Sequence, residues 1–290
     1  MSSACLALAA LNGLREVARS RWYETSPIGG PLGQEAFLNG AALWETSLAP
    51  QALLQQLHAV ELMHDRDRNV PWGPRTLDLD LLLFDDVVLR TPELTIPHPR
   101  LSFRKFVLRG AAEAAGDMRH PFLGRTMREL ADHLETAPRY VAFVGMSPGF
   151  RMQFAAEAAE VSRARLVDPT PGEIPAFETL AAVDGPQPEQ RVKFAEARRM
   201  AIVASLADAG DQWVADDGYL VDELRTLAGG VAEDDFALSE SLRPPRLIAR
   251  LVADDAGFQA GGFGLPQVEL DVRRREESLA EFAAALDAAG

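Results

Sequence analysis

Apolar and polar residues alternate with a period of two directly after a Gly-Pro turn in the first half of the chain. Leucines at positions 77, 79 and 81 would share one face of a strand, and Thr76, Asp78 and Asp80 would share the other. The turn itself, Gly73-Pro74, is rigid because proline fixes φ and glycine accepts unusual backbone angles. The pattern therefore predicts a strand over 76–84 with two carboxylates on one side.

Helix and strand patterns fill the rest of the first half. Apolar spacing predicts helices over residues 5–19, 53–61 and 103–115. Ser47 is the predicted N-cap of the second helix. Runs rich in β-forming residues predict strands over 21–25 and 37–44, and the Gly- and Pro-rich segment 26–33 between them predicts a loop. Strands interleaved with amphipathic helices indicate an α+β domain.

A boundary follows at 136–138. Residues 140–145 form an apolar run that ends in glycine, which is typical of the first strand of an α/β domain, and 154–161 is the predicted helix after it. Further helices are predicted over 190–208, 220–229 and 275–288, with a strand over 247–252. The chain is therefore expected to hold two domains, 1–136 and 139–290.

Charge and composition narrow the classes of function. The net charge is −14, with 17 acidic and 14 basic side chains in 1–138 and 26 and 15 in 139–290. This acidic excess argues against binding to nucleic acid or to an anionic membrane. No apolar run reaches the roughly 18 residues of a membrane span, and the N-terminus lacks the basic region of a signal peptide. The single cysteine, Cys5, fits a reducing compartment, so we expect a cytoplasmic location.

The two carboxylates of the alternating strand have two interpretations. A solvated acidic face on an edge strand is the simpler one, since charged faces usually meet water. The other is a site for Mg²⁺ and a nucleotide, because Asp78 and Asp80 offer hard oxygen ligands and leave room for phosphate oxygens. Arg75 would add a planar positive group that suits phosphate.

The whole string WGPRTLDLD at 72–80 is more specific than the two aspartates. With it, the chain from about Leu6 to about Leu134 resembles the 6-hydroxymethyl-7,8-dihydropterin pyrophosphokinase family of folate biosynthesis. The resemblance implies a ferredoxin-like sheet with helices on one face. It also implies transfer of pyrophosphate from ATP to 6-hydroxymethyl-7,8-dihydropterin, which gives the diphosphate and AMP.

The resemblance also assigns roles to residues around the phosphates. Asp78 and Asp80 match the family's aspartates for two Mg²⁺ ions, and Arg66 and Arg75 match arginines that stabilise the transferred charge. The matches to nucleotide-binding positions are Glu61, Arg68, Trp72, His98 and Arg104. Phosphoryl transfer needs cations around the developing charge and little covalent chemistry, so this set suits the reaction.

A second set matches the family's pterin pocket. Phe37 and Phe106 match two aromatics that sandwich the bicycle, and Asn39 matches the amide that bonds its edge. The segment from Thr25 to Ile28 matches backbone that lines the pocket. A flat polar heterocycle calls for aromatic faces and a group that both donates and accepts hydrogen bonds.

Two departures from the family pattern set up a competing hypothesis. Family members begin with an apolar strand before the first helix, whereas this chain begins inside that helix, so we expect its sheet to lack an internal strand. Glu93 stands where an arginine often helps to hold the nucleotide. Either the true start of the chain lies upstream and restores this first strand, or the chain is a truncated homologue that acts as a non-catalytic scaffold.

The second half has the strand–loop–helix order of a phosphate-binding P-loop but not its residues. Aligned on Gly145, the pattern G-x-x-x-x-G-K-[ST] meets Phe150, Arg151 and Met152, and neither lysine, Lys105 or Lys193, lies in such a loop. Residues 166–177 and 213–217 are similar to deoxynucleoside kinases. We expect a P-loop-kinase-like α/β domain that has lost catalysis. An unrelated α/β domain, or one that still phosphorylates nucleosides, are the alternatives.

Overall fold

A computed structural model describes residues 2–25, 36–64, 77–167, 209–216, 244–253 and 264–290, together with positions 202, 205 and 207. The chain divides into two compact units. The first unit comprises Met1–Asp132 and the second unit His133–Gly290. None of the helices within the described ranges is both long and apolar enough to cross a bilayer.

The first unit combines helices with short antiparallel sheets. Its helices are α1 (Ser2–Ala9), α2 (Pro50–Met63) and α3 (Lys105–Ala115), and α4 (Met127–Thr136) runs across the division between the units. Its strands are β1 (Leu14–Arg19), β2 (Tyr23–Thr25), β3 (Phe37–Asn39), β4 (Ala42–Thr46), β5 (Leu89–Arg90) and β6 (Thr95–Ile96). They pair as β1–β4, β2–β3 and β5–β6. The predicted α+β composition is observed, and the ferredoxin-like sheet stays a prediction.

The predicted helix over 5–19 is wrong in its second part. Helix α1 ends at Ala9, and Gly13, with φ +83°, turns the chain into strand β1. A Cβ at Gly13 would lie 2.8 Å from Oγ of Ser47, so a larger residue does not fit. Burial alternates along β1, and the strand pairs with β4. Tertiary pairing therefore overrode the local helical spacing.

Two boundaries near β4 also differ from the sequence-based expectation. The predicted strand 37–44 is two strands, because β3 pairs with β2 whereas β4 pairs with β1. Ser47 is not the N-cap of α2: Ala49 occupies that position without a side-chain bond, and Pro50 begins the helix. The backbone N–H of Ser47 instead donates to the carbonyl of Gly13, which closes the β1–β4 sheet.

The segment 77–84 forms no ladder with another strand in the part of the chain that the structure describes. Its burial nevertheless alternates as predicted at the start, since Leu77 is buried and Asp78 and Asp80 are exposed. Backbone groups here bond to other partners. The N–H of Leu79 donates to a side chain, and the carbonyl of Leu82 accepts from the N–H of His98. The expected strand is therefore an irregular segment held from two sides.

A hydrophobic cluster lies beneath this segment. Leu53, Leu57 and Val60 of α2 pack with Leu77, and the buried side of α1 joins them. Beside the cluster is an open cavity of about 1000 Å³. The lining of the cavity includes β4 on one side and 77–85 on the other. Within the described residues, β1 is the only strand paired with β4, and residues of both strands line this cavity.

The second unit is built on a parallel sheet. Its strands are β7 (Tyr140–Val144), β8 (Arg165–Leu166), β9 (Val214–Asp216), β10 (Leu247–Val252) and β11 (Gln267–Asp271), in the order β11-β10-β7-β9-β8. Its other helices with both ends described are α5 (Pro148–Ser162) and α6 (Arg275–Ala289), and the described positions 202, 205, 207 and 209 are helical as well. All neighbouring strands of this sheet run parallel. This sheet is compatible with the expected α/β class, and the P-loop-kinase-like fold stays a prediction.

Aromatic packing fixes two helices against the central strand of that sheet. The ring of Phe143 on β7 lies 6.1 Å from Phe154 of α5 and 5.0 Å from Phe282 of α6, centroid to centroid. The structure confirms the helices and strands predicted at 140–145, 154–161, 247–252 and 275–288, with α5 longer than expected. The predicted helix 220–229 and most of 190–208 lie outside the described residues.

Candidate active site

The cavity of the first unit brings together residues from both predicted halves of the site. Asn39 and Phe106, predicted to hold a pterin, line the same cavity as Asp78 and Asp80, predicted to hold Mg²⁺. These residues come from β3, α3 and the segment 77–84. Separate stretches of sequence thus converge on one concave surface, which is the arrangement that a two-substrate site requires.

The two aspartates project from a segment fixed from behind. Asp78 and Asp80 are both exposed, whereas Leu79 between them is half-buried against the hydrophobic cluster. The backbone N–H of Leu79 donates a 2.8 Å hydrogen bond to Oε1 of Glu61, which is fully buried. Glu61 was predicted to contact ATP, and the structure places its Oε1 against the protein backbone.

His98 lies beside the two aspartates, close enough for their charges to act on its pKa. Burial lowers the pKa of His98, the charge of Asp80 opposes this shift in pKa, and the positive charges of nearby arginines reinforce it. The backbone N–H of Arg100 donates to Nδ1 of His98 over 3.1 Å. A neutral ring therefore carries its proton on Nε2, which makes that nitrogen a hydrogen-bond donor.

The pterin-binding candidates are only partly assembled. Nδ2 of Asn39 donates a 2.6 Å hydrogen bond to Oγ1 of Thr25, which holds the amide in one orientation. Phe106 is half-buried, and the guanidinium carbon of Arg104 lies 6.0 Å from its ring centroid. Phe37 is 42% exposed and is not part of the cavity lining. The predicted aromatic sandwich therefore stays a prediction.

Five candidates lie outside the described residues. They are Ile28, Arg66, Arg68, Trp72 and Arg75. Their assignments stay predictions that rest on the sequence resemblance. One cavity residue was missed by the sequence analysis. Trp22 is 38% exposed, lines the cavity and packs so tightly on Gly40 that a Cβ there would lie 2.6 Å from its ring. A tryptophan within the predicted strand 21–25 was the available signal.

The donor set near the aspartates fits Mg²⁺. No group of three or more His, Cys, Asp or Glu side chains that could hold a metal is found among the described residues. Two exposed carboxylates on one face supply hard oxygen ligands and leave coordination positions open. Mg²⁺ favours few carboxylates together with waters and substrate phosphates, rather than a full protein cage.

The strand–loop–helix of the second unit lacks the geometry of a P-loop. Helix α5 begins at Pro148, three residues after Gly145, so no long glycine-rich loop separates strand from helix. The side chain of Arg151 folds back on this turn, where its Nη1 donates to the carbonyls of Gly145 and Met146 at 3.0 and 2.9 Å. Arg151 as a residue is 8% exposed, and its guanidinium satisfies carbonyl groups of the turn.

Comparison with known proteins identifies the first unit. A sequence model of the family described as 7,8-dihydro-6-hydroxymethylpterin-pyrophosphokinase matches residues 1–116. A 2-amino-4-hydroxy-6-hydroxymethyldihydropteridine pyrophosphokinase from Pseudomonas aeruginosa is 47% identical over 116 residues, which cover 40% of this chain and 70% of that protein.

Two further relatives carry the same name. The one from Synechocystis is 37% identical over 149 residues, covering 51% of this chain and 75% of the relative. The one from Haemophilus influenzae is 35% identical over 136 residues, covering 46% of this chain and 84% of the relative. At such identity over most of each relative, the similarity extends well beyond one motif. The chain therefore belongs to the 7,8-dihydro-6-hydroxymethylpterin-pyrophosphokinase family.

Proposed function

We propose that the cavity of the first unit is the active site for the reaction of this family. As a member of the family, the chain is a pyrophosphokinase, a transferase of folate biosynthesis that moves pyrophosphate from ATP to hydroxymethyldihydropterin. The observation that carries the site assignment is the shared lining. Asn39 and Phe106 face the same space as Asp78 and Asp80.

The pterin binds at the β3 and α3 side of the cavity. Phe106 covers one face of the flat ring, Phe37 covers the other, and Asn39 bonds its polar edge. Because Thr25 already accepts one N–H of Asn39, the amide is held with its remaining donor and its oxygen available. Backbone near Ile28 completes the pocket. This arrangement selects a planar heterocycle with alternating donors and acceptors.

ATP binds beside the aspartates. Asp78 and Asp80 would hold two Mg²⁺ ions, which supply charge neutralisation on the phosphate oxygens. Arg66, Arg75 and Arg68 contact phosphates, and Arg104, Trp72 and His98 contact the nucleotide. His98 contributes the N–H on Nε2, since its Nδ1 is occupied by the backbone of Arg100.

The reaction is an in-line displacement at the β-phosphorus of ATP. The hydroxymethyl oxygen forms the new P–O bond, the bond to the α-phosphate oxygen breaks, AMP leaves, and the hydroxyl proton is released. Arg66 and Arg75 stabilise the charge that develops on the transferred group. The protein residues orient the two substrates and neutralise the phosphate charge, and none of them forms a covalent intermediate.

A direct assay tests the proposal. The full chain, supplied with ATP, Mg²⁺ and 6-hydroxymethyl-7,8-dihydropterin, is expected to form AMP and the pterin diphosphate in equal amounts. Asp78→Ala should reduce turnover by at least about 100-fold, because several kcal/mol of charge stabilisation are lost. Asp86→Ala, an exposed carboxylate at the following turn, is the matched control. Equal turnover in Asp78→Ala and the control would contradict the metal assignment.

A specific observation keeps a second candidate in view. The edge of β4 opposite β1 has no strand partner among the described residues. An open sheet edge can pair with an extended segment of another chain, which is how a non-catalytic scaffold would work. The assay separates the two candidates, because a scaffold forms no AMP from ATP and the pterin under any condition.

We further propose that residues 139–290 form a deoxynucleoside-kinase-like domain without catalysis, separate from a pterin-binding domain at 1–136. The parallel sheet is compatible with this proposal, and the short turn at Gly145 sealed by Arg151 supports the loss of phosphate binding. Incubation of the full chain with ATP and each deoxynucleoside should give no monophosphate. Formation of a deoxynucleoside monophosphate by the Asp78→Ala variant would contradict the proposed loss of catalysis in residues 139–290. A cytoplasmic location without nucleic-acid or membrane partners is part of the same proposal.

A further inference from the structure

Glu61 is an unusual residue in the core of the first unit. It lies in the last turn of α2, next to Val60, and neither residue is exposed to solvent. Glutamate is among the residues that are almost never fully buried unless they are paired, because a carboxylate out of water must find hydrogen-bond donors. A carboxyl group therefore occupies a core position at which a leucine would pack without the free-energy cost of desolvation.

One hydrogen bond of this carboxylate is to the backbone at the centre of the acidic segment. Its Oε1 accepts the N–H of Leu79 at 2.8 Å. Leu79 separates Asp78 from Asp80, and its own side chain packs on the hydrophobic cluster. The peptide group between the two aspartates is thus held by helix α2 through one side chain, in a segment without a paired strand in the described chain.

We propose that Glu61 is a positioning residue that fixes the two metal-binding aspartates through the backbone of Leu79, and that it does not itself contact ATP. This inference rests on the proposed function of Asp78 and Asp80. It replaces the role in ATP binding that the sequence resemblance suggested for Glu61, because the residue is fully buried and its Oε1 accepts a backbone N–H.

The physical basis is that the hydrogen bond to the N–H of Leu79 lies directly between Asp78 and Asp80 in the chain. Rotation of the peptide at Leu79 moves the side chains on both sides of it, so one hydrogen bond restrains both aspartates. Acceptors that carry a charge form hydrogen bonds roughly twice as strong as neutral ones. Groups that orient the ligands of a metal typically change metal affinity by about 10- to 100-fold when they are removed.

Three variants separate positioning from direct contact and from plain stability. Glu61→Met keeps the volume but removes the acceptor, Glu61→Gln keeps a neutral acceptor, and Val60→Ala damages the same helix turn without touching the aspartates. Two measurements are made on the full chain: hydrogen exchange of the Leu79 amide by NMR, and binding of Mn²⁺ with a non-hydrolysable ATP analogue by electron paramagnetic resonance. Neither measurement requires catalysis.

We expect Glu61→Met to expose the Leu79 amide to exchange and to weaken Mn²⁺ binding by at least about tenfold. Glu61→Gln should keep the amide protected and bind Mn²⁺ within about threefold of the parent protein, since a hydrogen bond to a neutral acceptor remains. Val60→Ala should lower the melting temperature and leave both readouts unchanged. If Glu61→Met does not fold, Glu61→Gln alone still distinguishes an effect of the negative charge from an effect of the hydrogen-bond acceptor.

Two outcomes would overturn the inference. Equal loss of Mn²⁺ binding in Glu61→Gln and Glu61→Met would mean that the charge acts directly on the metal or nucleotide. An unchanged Leu79 exchange rate and Mn²⁺ affinity in Glu61→Met would reduce Glu61 to a core residue. Absence of Mn²⁺ binding in the parent protein would instead overturn the metal site, and the inference with it. The exchange rate of Leu79 distinguishes that result from a failure of Glu61 alone.

Discussion

Nδ2 of Asn39 donates a hydrogen bond of 2.6 Å to Oγ1 of Thr25, across the antiparallel pair β2–β3. The bond consumes one of the two donors of the amide and fixes which way its oxygen points. In the proposed function, Thr25 therefore takes part in substrate recognition through Asn39. The sequence predicted Thr25 as part of the pocket wall, and this contact adds a role in orienting Asn39 within the proposed function.

Thr25→Val should weaken pterin binding by about fivefold, since the loss of one neutral hydrogen bond costs about 1 kcal/mol. Asn39→Ala should weaken it further, because the groups that bond the substrate are removed. Fluorescence titration with 6-hydroxymethyl-7,8-dihydropterin measures both. Glu24→Gln is the control, because Glu24 is the exposed central residue of β2. Equal affinity in Thr25→Val and Glu24→Gln would contradict the positioning of Asn39.

Phe106 and Phe37 are expected to contribute separately to pterin binding. Phe106→Leu should raise the KM for the pterin by about three- to tenfold and leave the KM for ATP nearly unchanged, because an aromatic stacking contact is worth about 0.5–1.5 kcal/mol. Phe37→Leu should behave in the same way if the sandwich forms on binding. A pterin KM that responds to Phe106 and not to Phe37 would contradict the two-sided arrangement.

His120 makes the stability of the protein depend on pH. Burial lowers the pKa of His120 to about 4, and its side chain is only 2% exposed. The unfolded chain, with an ordinary pKa near 6.5, takes up this proton first, so stability is fully present above about pH 6.5 and is lost as the pH falls toward 4. The loss amounts to roughly 3 kcal/mol.

A variant isolates this effect from the titration of carboxylates. Urea unfolding of the parent protein and of His120→Gln is measured between pH 7 and pH 4. The parent should lose about 3 kcal/mol more than the variant over this range, even if the variant is less stable at pH 7. Parallel pH profiles for the two proteins would show that His120 does not bind its proton differently in the folded state.

Replacement by alanine should have different effects on stability at two glycines of the second unit. Gly145 has φ +85°, and an added Cβ would collide with the carbonyl oxygen of Leu251, so Gly145→Ala should destabilise by about 1–3 kcal/mol or more. Gly149 lies in α5 with open space around it. Gly149→Ala should be neutral or stabilise by up to about 1 kcal/mol. Thermal unfolding of both variants compares them directly, and a similar loss in both would contradict the role of Gly145.

The sequence by itself determined the chemistry of the first unit and the class of both units. The string at 72–80 carries the resemblance to the family, and the apolar run at 140–144 indicated a buried strand of an α/β domain, since both faces of such a strand are covered. These features are local, so they can be read without knowing what packs against them.

Only the tertiary structure decided which local preference prevailed. Residues 14–19 have spacing that suits a helix, and they form β1 because β4 supplies hydrogen-bond partners from a distance in sequence. Glu61 was expected at the nucleotide, and it is buried because Leu79 offers it a backbone donor. The proposed roles of Glu61 and Thr25, and the place of Trp22 in the cavity lining, depend on neighbours brought together by folding. Contacts of that kind leave no period in the sequence, because they join residues whose spacing follows no repeat.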